Sequence, residues 1–162
     1  MRLLACILLF AASPVAQQPP QQPPFPPPSG AYFAISVRDL NTSAQWYKQK
    51  LGFHEVKQGA SRDGLSRAII LETDGVLLEL IHHKRATSAR SLIKGYKGAY
   101  QIYGVFKIGL LVQDADHTLQ RLQANGVQIA NGPYTDDGLH MRSFFIRDNE
   151  GNIIQFLSRI GG

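Results

Sequence analysis

Three observations predict an α+β fold made of two β-α-β-β-β modules. Short runs alternate apolar and polar residues with period two, as half-buried strands do. One amphipathic stretch with helical spacing, opened by a polar cap and closed by glycine, interrupts each series of runs. The whole series then occurs twice, about 75 residues apart.

In the first copy, AYFAISVR places Phe33, Ile35 and Val37 on one face of a strand. NTSAQWYKQKLG then reads as a helix capped at Asn41 or Thr42. Ala44, Tyr47 and Leu51 make its apolar face, and Gly52 is the residue suited to its left-handed stop. FHEVKQG, SRAIILE and GVLLELIHH follow as three strands, with turns at Gly59 to Gly64 and at Asp74–Gly75. The second copy begins with the strand FKIGLLVQ. A helix capped by Asp114 or Asp116 follows, with Ala115, Leu119 and Leu122 on one face, ending at Asn125–Gly126. VQIANG, MRSFFIR and NIIQFLS are its three strands. VRDL (Val37 to Leu40) aligns with VQDA (Val112 to Ala115), and LGF (Leu51 to Phe53) with NGV (Asn125 to Val127). The match marks an internal duplication, with modules over about 31–83 and 105–159 and a connection over 84–104. A lone module exposes one face of its small sheet. The two uncovered faces must therefore meet each other or a ligand, which predicts a cleft between the halves.

The segments outside this repeat have their own character. MRLLACILLFAASPVA pairs one cation, Arg2, with the apolar run Leu3 to Ala12, the pattern of a secretory signal ending near Ala16. The run is short for a bilayer span, so no integral membrane span is expected; retention as an uncleaved anchor is the alternative. Residues 17–30, QQPPQQPPFPPPSG, are a proline- and glutamine-rich spacer favouring extended polyproline II, and a tether is preferred to a polyproline-recognition tract. The domain is expected over 31–162, and the protein periplasmic or secreted. Cys6 is the only cysteine, so removal of the leader would exclude disulfides, thiolate metal sites and cysteine nucleophiles. The formal charge is +5, and the excess is concentrated in Lys84, Arg85, Arg90, Lys94, Lys97 and Lys107, interleaved with Tyr96, Tyr100 and Tyr103. Such a stretch can attract anions. Export argues against nucleic acid, and a solvated basic loop is the plainer reading. Gly95, Gly98 and Gly104 suit a mobile flap over the cleft, or equally a dimer contact.

Four segments in this order, SVRDLNTSAQWYKQKLGF, GVLLEL, KIGLLVQDADHTLQRLQANGV and RSFFIRDNEGNIIQFL, resemble the vicinal oxygen chelate superfamily of glyoxalase I, bleomycin-resistance proteins and extradiol dioxygenases. The resemblance covers Ala31 to about Arg159. It implies a cupped, incomplete mixed β-barrel with helices on its convex face, and often a homodimer. In metal-dependent members, the ligands come from the first and last strands of each module, usually histidine and glutamate. The corresponding positions here are Tyr32, Glu79, Lys107 and Gln155. Only Glu79 is a usual ligand, and an ammonium offers a cation no lone pair. No cofactor and no metal are therefore expected. His83 shares a strand face with Glu79, and a non-standard site with His140 is conceivable, but His83 beside Lys84–Arg85 reads better as solvated. His54 and His117 read as surface residues.

Two functional readings follow. In the first, the cleft binds a small organic molecule. A Lys107–Glu79 ion pair replaces metal and carboxylate, Tyr32 and Gln155 supply hydrogen bonds, and Arg142 meets an anionic group. Leu77, Ile81, Leu111, Ile153 and Leu157 form the walls, and an ion pair that merely fills an old cleft is the bland alternative. In the second, the chain is a lyase-, isomerase- or dioxygenase-like enzyme with Glu79 as general base, the lysine stabilising an enolate. A Schiff base on Lys107 is opposed by the same ion pair, which would raise the lysine pKa.

Overall fold

The computed structural model describes residues 30–98 and 102–160. The leader and nearly all of the spacer expected at 1–30 lie outside the described residues. The first module runs β1 (Ala31–Ser36), α1 (Leu40–Leu51), β2 (His54–Ala60), β3 (Ser66–Thr73) and β4 (Val76–His83). A short helix, α2 (Ala89–Leu92), lies in the connection. The second module runs β5 (Ile108–Leu111), α3 (Ala115–Ala124), β6 (Ile129–Asp136), β7 (Met141–Arg147) and β8 (Ile153–Arg159).

The duplication reappears in the topology. The sheets are ordered β1-β4-β3-β2 and β5-β8-β7-β6, each with one parallel pair (β1 with β4, β5 with β8) and two antiparallel pairs. Two four-stranded mixed sheets with helices make an α+β fold, and the sheets form a cup rather than a closed barrel. The helix between β1 and β2 carries the chain across the sheet, and β4 returns beside β1 as its parallel partner. This leaves β1 and β5 at sheet edges.

Strand alternation sorts the faces. Ile35, Ile69, Leu71, Leu78 and Leu80 are buried toward the helix side in the first module, and Phe144, Ile146, Ile154 and Phe156 in the second. Phe144 and Phe156 stack with centroids 5.1 Å apart. Each large side chain buried in this way contributes roughly 1.5–3 kcal/mol. The helices supply Leu40, Ala44 and Tyr47 from α1, and Ala115 and Leu122 from α3.

Both helices start one turn signal earlier than, or at the first of, the expected caps. Asp39, not Asn41 or Thr42, caps α1: its carboxylate accepts from the Thr42 amide at 2.9 Å, which lets Leu40 join the buried face. Asp114 caps α3 by accepting from the His117 amide at 2.9 Å. Gly52 closes α1 with φ +74°, a left-handed conformation that a Cβ would oppose. The strand expected to end at Gly132 instead runs on to Asp136. Its pairing with β7 shifts register on either side of Asn131, and these irregularities carry it past Gly132–Pro133.

The modules are fastened by polar contacts as well as by a shared apolar core. The turn Asp148 to Asn152 folds around the Asp148 carboxylate, which accepts from the amides of Glu150 and Asn152 and from the Asn152 side chain. The same carboxylate accepts from the Tyr47 hydroxyl at 2.8 Å. Asn149 donates to Ser43 Oγ at 3.0 Å, and Glu150 accepts from the Arg38 amide at 3.0 Å. At the other end of α1, Lys50 Nζ donates to the Asn125 carbonyl at 2.6 Å, and the Asn125 side chain donates to the Gln49 carbonyl at 2.7 Å.

Candidate functional site

The helix-free faces of the two sheets carry four of the polar residues expected to form a site, Tyr32, Glu79, Lys107 and Gln155. β1 and β4 run parallel with Ala34 opposite Glu79, so Tyr32 and Glu79 lie on the same face of neighbouring strands. The Tyr32 hydroxyl donates to Glu79 Oε2. This bond, reinforced by partial loss of hydration and by the nearby negative charge, holds the Tyr32 hydroxyl pKa above its ordinary value. Tyr32 remains open to solvent at 57 % exposure, so the pair sits at the mouth of the cup.

The second sheet makes a separate arrangement. Phe145 on β7 pairs directly with Gln155 on β8, and Gly109 on β5 lies on the other side of Gln155. Lys107, one residue before β5, extends over β8, and its Nζ lies 5.3 Å from the centroid of the Phe145 ring. A ring face attracts an ammonium group through its quadrupole. Tyr134 meets Phe145 edge-on, with centroids 6.2 Å apart. Gln155 is only 8 % exposed, and no described residue makes a hydrogen bond to its side-chain amide.

Two expectations about these residues need correction. The Lys107–Glu79 ion pair does not form: the carboxylate takes the Tyr32 hydroxyl and the ammonium lies on Phe145, so the four positions form two half-sites. Arg142 does not join either one. Its register opposite Ser158, and its phase with Phe144 and Ile146, turn it to the helix side. There its guanidinium binds both oxygens of Asp116, at 2.9 to 3.1 Å, and Thr135 Oγ1 at 3.0 Å. This pair borders an open groove of about 880 Å³ at the start of α3, with Asp114, Ser158 and Ile160 around it. The groove includes none of Tyr32, Glu79, Lys107 and Gln155, and the Arg142 guanidinium there is already paired with Asp116.

The donor chemistry of the inner faces does not suit a divalent transition metal. One phenol-bound carboxylate, one ammonium and one amide leave a single anionic oxygen donor group. Among the described residues no three His, Cys, Asp or Glu side chains converge to hold an ion, and His83 instead accepts from the Arg85 amide at 3.1 Å. Among the described residues no helix is long and apolar enough to cross a membrane.

Sequence reasoning passed over Phe145 and Arg147. Both alternate with Ser143 on the helix-free face of β7, and the MRSFFIR pattern carried that signal, but its two adjacent phenylalanines obscured which one faced the core.

Comparison with known proteins agrees with this architecture. Residues 31–156 match the Glyoxalase/Bleomycin resistance protein/Dioxygenase superfamily. A glyoxalase family protein from Enterococcus faecalis superposes with a TM-score of 0.64 at 15 % identity, over 82 % of this chain and 98 % of that one. A glyoxylase/bleomycin resistance protein/dioxygenase domain from a Frankia species gives 0.64 at 16 % identity, over 85 % and 95 %. A glyoxalase/bleomycin resistance protein from a Streptomyces species gives 0.55 at 22 % identity, over 79 % and 98 %. At these identities the superpositions speak for the fold alone. No curated protein sequence matches the chain. The family match covers most of the chain, and its order of strands, helices and paired sheets is the one found in the structure; the chain belongs to the Glyoxalase/Bleomycin resistance protein/Dioxygenase superfamily.

Proposed function

We propose that this chain is an exported protein that binds a small organic molecule on the inner faces of its cup without a metal ion. The observation that carries the reading is the Lys107 ammonium lying over Phe145, on the face of the nearly buried Gln155 amide. A cation there repels a divalent ion, while the ring and amide offer the apolar surface and directed polar group of a ligand site. Export rests on the Met1 to Ala16 pattern. A homodimer is supported by the exposed apolar residues Val105, Phe106 and Leu111 along the β5 edge, and sedimentation velocity reads it directly. The test of the metal-free site is elemental analysis of tag-free protein purified without chelator. Metal far below one equivalent is expected; a stoichiometric transition metal overturns the reading.

The Tyr32–Glu79 pair favours a second reading, a divergent lyase, isomerase or dioxygenase-like enzyme. Glu79 is a carboxylate already placed to accept a proton, the role of a general base toward a carbon acid. Tyr32 would shift its donated bond to the substrate as Glu79 took the proton. Turnover of a hemithioacetal, a methylmalonyl thioester or a catechol that disappears in Glu79→Gln would establish catalysis.

A further inference from the structure

We propose that Lys107, Arg147 and Gln155 form a carboxylate-binding subsite, so that the ligand of this cup is an organic acid with an apolar body. The proposal rests on the reading that the inner faces bind a small molecule, and it names the chemical class. The register of the second sheet places the three residues on one face. Arg147 pairs with Ile153 across β7 and β8, and the parallel pairing of Ile108 with Ile154 places Lys107 on the other side of Ile153. Gln155 is the next residue of β8 on the same face. Lys107 and Arg147 therefore start from opposite sides of one strand, and the Lys107 ammonium reaches across it to the ring of Phe145, beside Gln155.

Both cations are uncompensated. Neither Lys107 nor Arg147 has an ion-pair partner among the described residues. The acids nearest in sequence are engaged elsewhere: Asp148 holds Tyr47 and its own turn, and Glu150 accepts from the Arg38 amide. Arg147 is nonetheless fixed, since its Nη1 donates to the Gly151 carbonyl at 2.9 Å, leaving its other N–H groups available. Gln155 adds a neutral donor on the same face. The residue as a whole is 8 % exposed, but its amide bonds no described residue and keeps contact with solvent, so its N–H is free to meet a ligand. A carboxylate satisfies all three groups. It can accept one bond from the ammonium, one or two from the guanidinium fork, and one from the Gln155 N–H. The surface beside it is apolar: Phe145, Ile153 and Leu157 lie along the same face, so the rest of the ligand is hydrocarbon or aryl rather than a second charge.

Isothermal titration of the full-length protein with matched acids and amides tests this. Benzoate, phenylacetate and octanoate are compared with benzamide, phenylacetamide and octanamide, and with sodium phosphate. At least one acid is expected to bind ten times or more as tightly as its amide. Lys107→Gln and Arg147→Gln should each remove that preference with only a small shift of the thermal midpoint, because both side chains are solvent-exposed and their contacts with Phe145 and the Gly151 carbonyl lie at the surface. Equal binding of acid and amide by the natural protein overturns the carboxylate subsite and leaves small-molecule binding standing. Phosphate binding as tightly as the best acid overturns the organic-acid assignment. Binding of none of the acids and amides overturns the subsite and counts against the broader reading too.

Discussion

The Tyr47 hydroxyl donates a 2.8 Å hydrogen bond to Asp148 Oδ2, joining the helix of the first module to a turn of the second across 101 residues. Burial, reinforced by the Asp148 charge and by the bond itself, holds the hydroxyl pKa far above its ordinary value, so the phenol is a permanent donor. Tyr47→Phe keeps the ring and its edge-on contacts with Trp46 and Phe53 but removes one donor from a buried carboxylate. A loss of about 1–3 kcal/mol is expected. Urea unfolding followed by Trp46, the only tryptophan, should show a lower midpoint with an unchanged slope.

Lys107 and Glu79 should behave as independent residues. Each engages its own partner on its own sheet, and no ion pair joins them. A double-mutant cycle of Lys107→Met and Glu79→Gln should give a coupling within about 0.5 kcal/mol of zero. A favourable coupling above 1 kcal/mol would show that the two side chains meet in solution.

The Tyr32 hydroxyl should titrate late. Its pKa is raised in the folded chain, so its stabilising contribution is complete below the unfolded value of about 10 and fades as pH rises through the folded value. The difference in phenolate absorbance between the natural protein and Tyr32→Phe isolates this group. In Glu79→Gln the acceptor loses its charge, and the Tyr32 transition should move to lower pH.

Phe144 is fully buried and stacked on Phe156 in the core of the second module. Phe144→Ala should cost about 3–5 kcal/mol by leaving a cavity that rigid strands cannot close. Phe145→Ala, on the open face, should cost much less while changing how the Lys107 ammonium is held. Thermal unfolding of the two variants, side by side, checks the assignment of faces.

The RDNEGNIIQFL stretch shows what was legible in the sequence and what was not. A turn followed by a strand was legible, because Asp, Asn and Gly favour turn backbones and apolar runs favour pleated ones. The role of the turn as a clasp on α1 was not, since it depends on Ser43, Tyr47 and Arg38 lying more than 100 residues away. The placement of Glu79 on the helix-free face of its strand followed from alternation with the buried Leu78 and Leu80. The placement of Arg142 did not, because MRSFFIR carries a phenylalanine on each face and only packing against α3 decides which faces inward.

By itself the sequence determined the duplication, the number and order of the strands of the two modules, and the helix caps to within a few residues. These are local or periodic properties, set by backbone preference and by the burial of one face. Only the tertiary structure decided which polar groups meet. Tyr32 joined Glu79, Lys107 settled on Phe145, and Gln155 was left beside two uncompensated cations. Whether charges within reach of each other pair or part depends on the distance and angle between the sheets. Period-two alternation specifies a face, but not the distance to the face opposite.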